Sequence, residues 1–348
     1  MTLSPAGRPR LWEVRPPGED VDVVSLERGA SALMSSTTRT GLTTALLAVH
    51  RGHIVCERYG EGHDETSTFI SWSMAKSMVG ALCGVAIEEG LLSLDAPAPV
   101  AAWVNDERRT ITVRHLLQMT SGLSWIEDYV DGETSHVIDM LFGTGADDVA
   151  DYATRRPSQF RPGDQWLYSS GTTNILCRLL GDALGDSRGS HKYIESYLRD
   201  RLFDAIGMSS VIPKFDAYGT FIGSSYVYAT ARDFARFGEL FLNNGEWMGH
   251  QVVPRNWVDF SRESVAHDGD NGFDYGAHWW MWPEERDSLV ALGYEGQYIW
   301  VLPQRDLVLV RVGKTDAALR NDLTADLLSL VRAFPESSHL MDKSGGRG

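Results

Sequence analysis

In the stretch FISWSMAKSMVGALCGVAIEEG, residues 69–90, Ser73 stands three positions before Lys76, where an apolar helical pattern begins. Residues three apart share a helix face, so the hydroxyl and the amine can meet. A serine hydroxyl is a poor nucleophile until a neighbour accepts its proton, and a lysine accepts one only when neutral. Burial among Met78, Val79, Leu82, Cys83 and Val85 disfavours the ammonium, as does the positive end of the helix dipole. The pair therefore predicts a nucleophile beside a base. The competing reading is a surface lysine with its stem laid along the helix, and S-x-x-K alone recurs by chance in a chain of this length.

The elements that must hold this pair follow from pattern and turn chemistry. Residues 44–59, TALLAVHRGHIVCERY, read as a β-hairpin around Arg51-Gly52. The Ser73 helix comes next and ends at Gly90, a natural C-terminal cap. From about residue 100 to 212 the text is helical with polar loops, as in VRHLLQM, HVIDMLF and TTNILCRLLGDAL. Strand text resumes with GQYIWVLP and DLVLVRVG, a second hairpin joined by Gln304-Arg305, and TADLLSLVRAF reads as a closing helix. The expected fold class is α/β (α+β): an antiparallel sheet built from both chain ends, flanked by terminal helices, with a mostly helical region inserted. A cleft between the two parts follows. The expected divisions are an extension over 1–20, a catalytic domain over 21–335 with its α/β part at 21–95 and 213–335 and its helical part at 96–212, and a polar, disordered tail at 336–348.

Composition narrows the function classes. With 348 residues, 43% hydrophobic and 23% charged, the chain can form one large domain or two ordinary ones. A net charge of -15 argues against the basic surface that nucleic acid requires. No segment reads as a secretory signal or membrane span, so the expectation is no membrane and a cytoplasmic location. Three cysteines, Cys56, Cys83 and Cys177, sit among apolar neighbours without paired spacing and read as reduced core thiols. No HExxH is present, and no metal site is expected.

After the Ser73 helix come LLSLDAPAP, ITVRHLLQMTSGL and RPGDQWLYSSGTTNILCRLLG, in that order. With them the chain resembles the serine β-lactamase and penicillin-binding-protein superfamily, in its class C, esterase and 6-aminohexanoate-oligomer hydrolase branch, over roughly residues 20 to 335. The resemblance implies the β-lactamase/transpeptidase-like fold, Ser73 as nucleophile, Lys76 as its helix-mate, and Tyr168 of YSS as the tyrosine that relays a proton to the leaving group. It implies no cofactor. Ser170 takes the place of the asparagine of Y-x-N, a substrate contact. The third family element falls in LGYEGQYIWVLP, where Gly296 matches its glycine and Tyr294 and Glu295 replace its cation and hydroxyl. By the same resemblance the backbone N-H groups of Ser73 and Gln297 form the oxyanion hole. Tyr129, in SWIEDYVDGE, becomes a substrate contact at the mouth, with Glu295 and Gly296 beside it.

Several features carry two readings. The acidic run Glu127, Asp128, Asp131 and Glu133 is a solvated face or a recognition patch, the former favoured. The aromatic cluster HWWMW, His278 to Trp282, supplies walls of an acyl pocket or plain core. GDSRG, with Ser187, fits a nucleophile elbow but follows a helical pattern where a strand is required, so it reads as a loop. Gly313-Lys314-Thr315 lacks the glycines of a phosphate loop and reads as a strand end. The expected function is serine hydrolysis of an ester or small amide through an acyl-enzyme. A β-lactamase or D,D-peptidase is the neighbouring alternative, and a non-catalytic binding or regulatory protein of the same fold is the alternative from another class. Oligomeric state is not legible.

Overall fold

The computed structural model describes residues 12–35, 37–129 and 134–336. Most of the expected N-terminal extension, nearly all of the expected tail, and Asp131 and Glu133 lie outside the described residues. Eight strands form one antiparallel sheet: β1 (Leu42–His50), β2 (His53–Tyr59), β3 (Ala266–Asp268), β4 (Phe273–Tyr275), β5 (Trp280–Met281), β6 (Leu289–Gly293), β7 (Gln297–Leu302) and β8 (Leu307–Lys314). Their order is β2-β1-β8-β7-β6-β5-β4-β3. The two ends of the chain meet in its middle, where Leu47 of β1 lies opposite Val310 of β8. Arg51 and Gly52 both take left-handed backbone angles, φ 53° and 75°, the pair that matches a two-residue turn to the twist of β1 and β2.

Five helices matter for the site: α1 (Val23–Ser35), α2 (Met74–Glu88), α3 (Ser170–Leu184), α4 (Ala231–Leu242) and α5 (Arg320–Val331). Successive strand residues point to opposite faces, and here both faces are covered. Leu46, Ala48, Leu307 and Leu309 pack under Leu26, Leu33, Leu327 and Leu330 of α1 and α5. Leu47, Val49, Val308 and Val310 meet the opposite layer, with Met78 and Leu82 of α2 and Phe234 and Phe237 of α4. The central strands are accordingly apolar on both sides, a pattern usual for sheets sandwiched between helices. The inserted region carries shorter helices at Val113–Leu117, His136–Phe142, Val149–Thr154 and Lys192–Leu198 besides α3.

The fold is thus a mixed α/β arrangement with a large antiparallel sheet flanked by helices. Beyond the expected hairpins, β3 to β5 extend the sheet past β6, and α4 covers β7 and β8. The three cysteines are free and buried. Burial pushes the Cys56 thiol up to about 11 and Cys83 well above its ordinary value, which suits inert core thiols. GDSRG is the loop between α3 and Lys192–Leu198, with no strand before it. Among the described residues no helix is long and apolar enough to cross a membrane.

Candidate active site

Ser73 is the N-cap of α2, yet its hydroxyl makes no capping bond. A serine there ordinarily accepts a hydrogen bond from the helix N-H groups; this one faces Lys76 instead. The Lys76 Nζ lies 2.9 Å from Ser73 Oγ, 2.8 Å from Ser170 Oγ and 2.9 Å from the Ser224 carbonyl oxygen. The lysine is 2% exposed, which excludes the surface reading. Burial lowers its pKa to about 8, and the nearby Glu127 carboxylate partly opposes that shift. Just before the serine, Trp72 holds a left-handed φ of 45°, a conformation costly for a residue with a Cβ and concentrated at functional sites.

Two expectations around this pair change. Ser170 does not line the cavity. It is fully buried at the start of α3, with its hydroxyl between Lys76 and Glu127. Glu127 in turn is no solvated charge: its carboxylate accepts from the Ser170 hydroxyl at 2.5 Å, the Ser170 N-H at 2.8 Å and the Trp125 indole N-H at 2.6 Å. The acidic run hides this role because four carboxylates in seven positions read as a solvated face. The usable signal is Trp125, two positions earlier, whose indole needs an acceptor when buried.

Tyr168 borders the same cavity as Ser73, its ring 5.0 Å from Lys76 Nζ. Burial holds its phenol far above the usual value, so it stays protonated at neutral pH. The cavity encloses about 440 Å³, within the range of small-molecule sites. Tyr129 lines it and stacks on Tyr294, ring centroids 4.4 Å apart. HWWMW divides between its two readings. Trp280 is cavity wall, whereas Trp279 packs on Phe237 and His278 is buried between Thr173 and Leu117. Burial takes His278 down to about 3, leaving it neutral.

Gly293 ends β6 against the Ser73 turn: a Cβ there would stand 2.5 Å from the Ser71 carbonyl oxygen, so only glycine permits the approach. Gly293, Tyr294 and Gly296 line the cavity; Gln297 does not. The Gln297 side chain turns away, donating to Tyr294 O at 3.0 Å and Gly313 O at 2.6 Å. Glu295 also points elsewhere, its carboxylate 3.8 Å from Lys314 Nζ. It is therefore not placed to meet a ligand. Among the described residues no backbone acceptor is assigned to the N-H groups of Ser73 and Tyr294, although Met74, Ala75 and Lys76 all have one. Asp268, Asp270 and Arg320 also line the cavity, the Arg320 guanidinium 5.5 Å from the Tyr294 ring centroid.

The Beta-lactamase family matches residues 30–331 of this chain. The chain belongs to the β-lactamase family. It is 27% identical over 293 residues to a 6-aminohexanoate-dimer hydrolase of Paenarthrobacter ureafaciens, covering 78% of this chain and 72% of that protein. Among solved structures, a provisionally named 6-aminohexanoate-dimer hydrolase from Bacillus anthracis is similar with a TM-score of 0.76 at 21% identity, over 98% of this chain and 90% of that one. A family VIII carboxylesterase is similar with a TM-score of 0.68 at 12% identity, over 93% and 98% of the two chains. These structures share the β-lactamase/transpeptidase-like fold. Family and relatives point to a hydrolase of the serine β-lactamase fold, related to 6-aminohexanoate-dimer hydrolases and esterases.

Proposed function

We propose that this β-lactamase family member hydrolyses an ester or small amide through an acyl-enzyme formed on Ser73. The observation that carries the reading is a buried lysine amine, pKa lowered to about 8, 2.9 Å from the Ser73 hydroxyl. In the first step Ser73 Oγ bonds to the substrate carbonyl carbon while its proton passes to Lys76. The oxyanion lies between the N-H groups of Ser73 and Tyr294, the donors left without backbone acceptors. The bond to the leaving group then breaks, and the Tyr168 hydroxyl, replenished from Lys76, supplies the proton to the departing oxygen or nitrogen. Water attacks the acyl ester by the same route in reverse, returning the proton to Ser73. Lys76 is the base in this scheme and Tyr168 a neutral shuttle, because burial moves the two groups in opposite senses, toward neutral amine and neutral phenol.

The relative named as a 6-aminohexanoate-dimer hydrolase and the similar carboxylesterase support an ester or small amide as substrate class. Glu295 sets no charge preference in this reading, since its carboxylate lies 3.8 Å from Lys314 Nζ and Arg320 is the residue that lines the cavity. A fluorophosphonate probe followed by peptide mapping tests the chemistry without knowing the substrate. Modification of Ser73 is expected; folded protein unlabelled at Ser73 overturns the reading. Nitrophenyl butyrate, a 6-aminohexanoate dimer and nitrocefin, assayed side by side, then test the class. A higher specificity constant for nitrocefin than for both others replaces it with a lactamase.

A further inference from the structure

We propose that Glu127 is a positioning residue that, through Ser170, fixes the direction of every hydrogen bond around Lys76 and leaves the amine lone pair aimed at the Ser73 hydroxyl. The inference rests on the serine-hydrolase reading above and concerns what makes the lysine a competent base. Lys76 Nζ has three oxygen neighbours: Ser73 Oγ, Ser170 Oγ and the Ser224 carbonyl. A neutral amine brings two N-H donors and one lone pair to these three positions, so one neighbour must donate. The Ser224 carbonyl oxygen only accepts. Ser170 could do either, because a hydroxyl rotates to suit its surroundings.

Glu127 removes that freedom. A carboxylate only accepts, and its Oε1 takes the Ser170 hydroxyl proton while its Oε2 accepts the Ser170 and Trp125 N-H groups. The backbone of Ser170 and the side chain of Trp125 thereby lock the carboxylate against rotation. With its proton committed, Ser170 Oγ offers Lys76 only a lone pair. The two amine hydrogens go to Ser170 and Ser224, and the lone pair remains for the proton of Ser73. Were Ser170 to turn and donate to the amine instead, the base would be occupied by the wrong hydroxyl.

The groups facing Lys76 are Glu127, Tyr168, Cys177 and His278, and those facing Glu127 are Lys76, Tyr129, Tyr168 and Tyr275. Burial holds the phenols and the thiol up and the imidazole down, so each is neutral at neutral pH. Among these facing groups Glu127 is therefore the one anion beside Lys76. Two separable effects follow. Loss of the charge removes support for the ammonium and moves the acidic limb of the rate profile to lower pH; loss of the directing acceptor lowers the plateau.

The test is the rate of Ser73 labelling by a fluorophosphonate between about pH 6 and pH 10, for the full chain and its variants. Glu127→Gln, whose amide can donate to Ser170 and reverse its hydroxyl, is expected to lower the plateau about tenfold or more and shift the acidic limb downward. Glu127→Asp keeps the charge without the reach to all three donors, so its plateau should fall while its limb stays near the wild-type position. Once Ser170→Ala removes the hydroxyl, adding Glu127→Gln should lower the plateau no further. A Glu127→Gln protein with the wild-type plateau and limb overturns the proposal, as does an additive double variant. Should Glu127→Gln fail to fold, full plateau rate in Glu127→Asp is the overturning result. Absence of labelling in the wild-type protein overturns the hydrolase reading itself, a distinct outcome.

Discussion

Lys76 and Arg311 are both basic side chains withdrawn from water, and among the described residues neither has a direct carboxylate partner, but the molecule treats them in opposite ways. Lys76 receives two hydroxyls and one carbonyl. Arg311, on the far side of the β6–β7 turn, spends its guanidinium on the Glu295, Gly296 and Leu42 carbonyls and the Thr43 and Thr315 hydroxyls. Burial lowers both, the lysine to about 8 and the arginine to about 10. At neutral pH the arginine remains charged and the lysine lies within a step of neutrality. The arginine is a rivet that ties the turn bearing Tyr294 to β1 and β8, and the lysine is a group whose proton can leave. Similar desolvation yields structure in one place and reactivity in the other, because a planar five-donor fork saturated by oxygen acceptors has no use for a lone pair.

Breaking the reactive side should cost rate and spare the fold. Ser73→Ala is expected to lower hydrolysis about 10⁴-fold or more with an unchanged melting temperature, read by steady-state kinetics and calorimetry. Lys76→Arg puts a permanent cation at the same place and should lower kcat by about 10³-fold or more; activity within tenfold of wild type would show that the base lies elsewhere. Tyr168→Phe keeps the ring and removes the shuttle, with an expected fall of about 10²-fold in kcat. A large drop in its melting temperature would assign the hydroxyl to structure instead.

The other side should behave inversely. Arg311→Met leaves buried carbonyls unpaired and is expected to cost roughly 3 kcal/mol or more in a denaturant titration, while the folded fraction retains a Ser73 that labels. The smallest effect is the pH limb. The base works as the free amine, so kcat/KM should rise about tenfold per pH unit below the Lys76 pKa and level off above about 8. A profile flat from pH 6 to pH 9 would contradict the contrast drawn between these two cations.

How far the site was legible depended on how local each signal was. Ser73 and Lys76 are one helical turn apart, and both hairpins carry their own turn residues, so a short window sufficed. Glu127 is illegible in the sequence because its meaning comes from Ser170 and Trp125, and a window holding Asp128, Asp131 and Glu133 looks solvated. The sequence makes Ser170 a ligand contact because it does not reveal that its hydroxyl is already occupied. The close approach of Gly293 to the Ser73 turn is not legible, because it depends on the Ser71 carbonyl, supplied by a distant segment. Strands β3 to β5 are two or three residues long, too short for a periodic signal.

Those three short strands also decide what shape of molecule the cleft can read. A polypeptide is commonly gripped by aligning its main chain along an exposed sheet margin, where unpaired N-H and C=O groups complete a new ladder. Here Trp280 of β5 already lies opposite Val290 of β6. That pair occupies the margin at Val290, and the part of the same segment that borders the cavity beside Ser73 is Leu292 to Tyr294. On the acyl-enzyme reading proposed above, that short stretch is a berth for one acyl group and its immediate neighbours, and a longer backbone would have to find its ladder elsewhere.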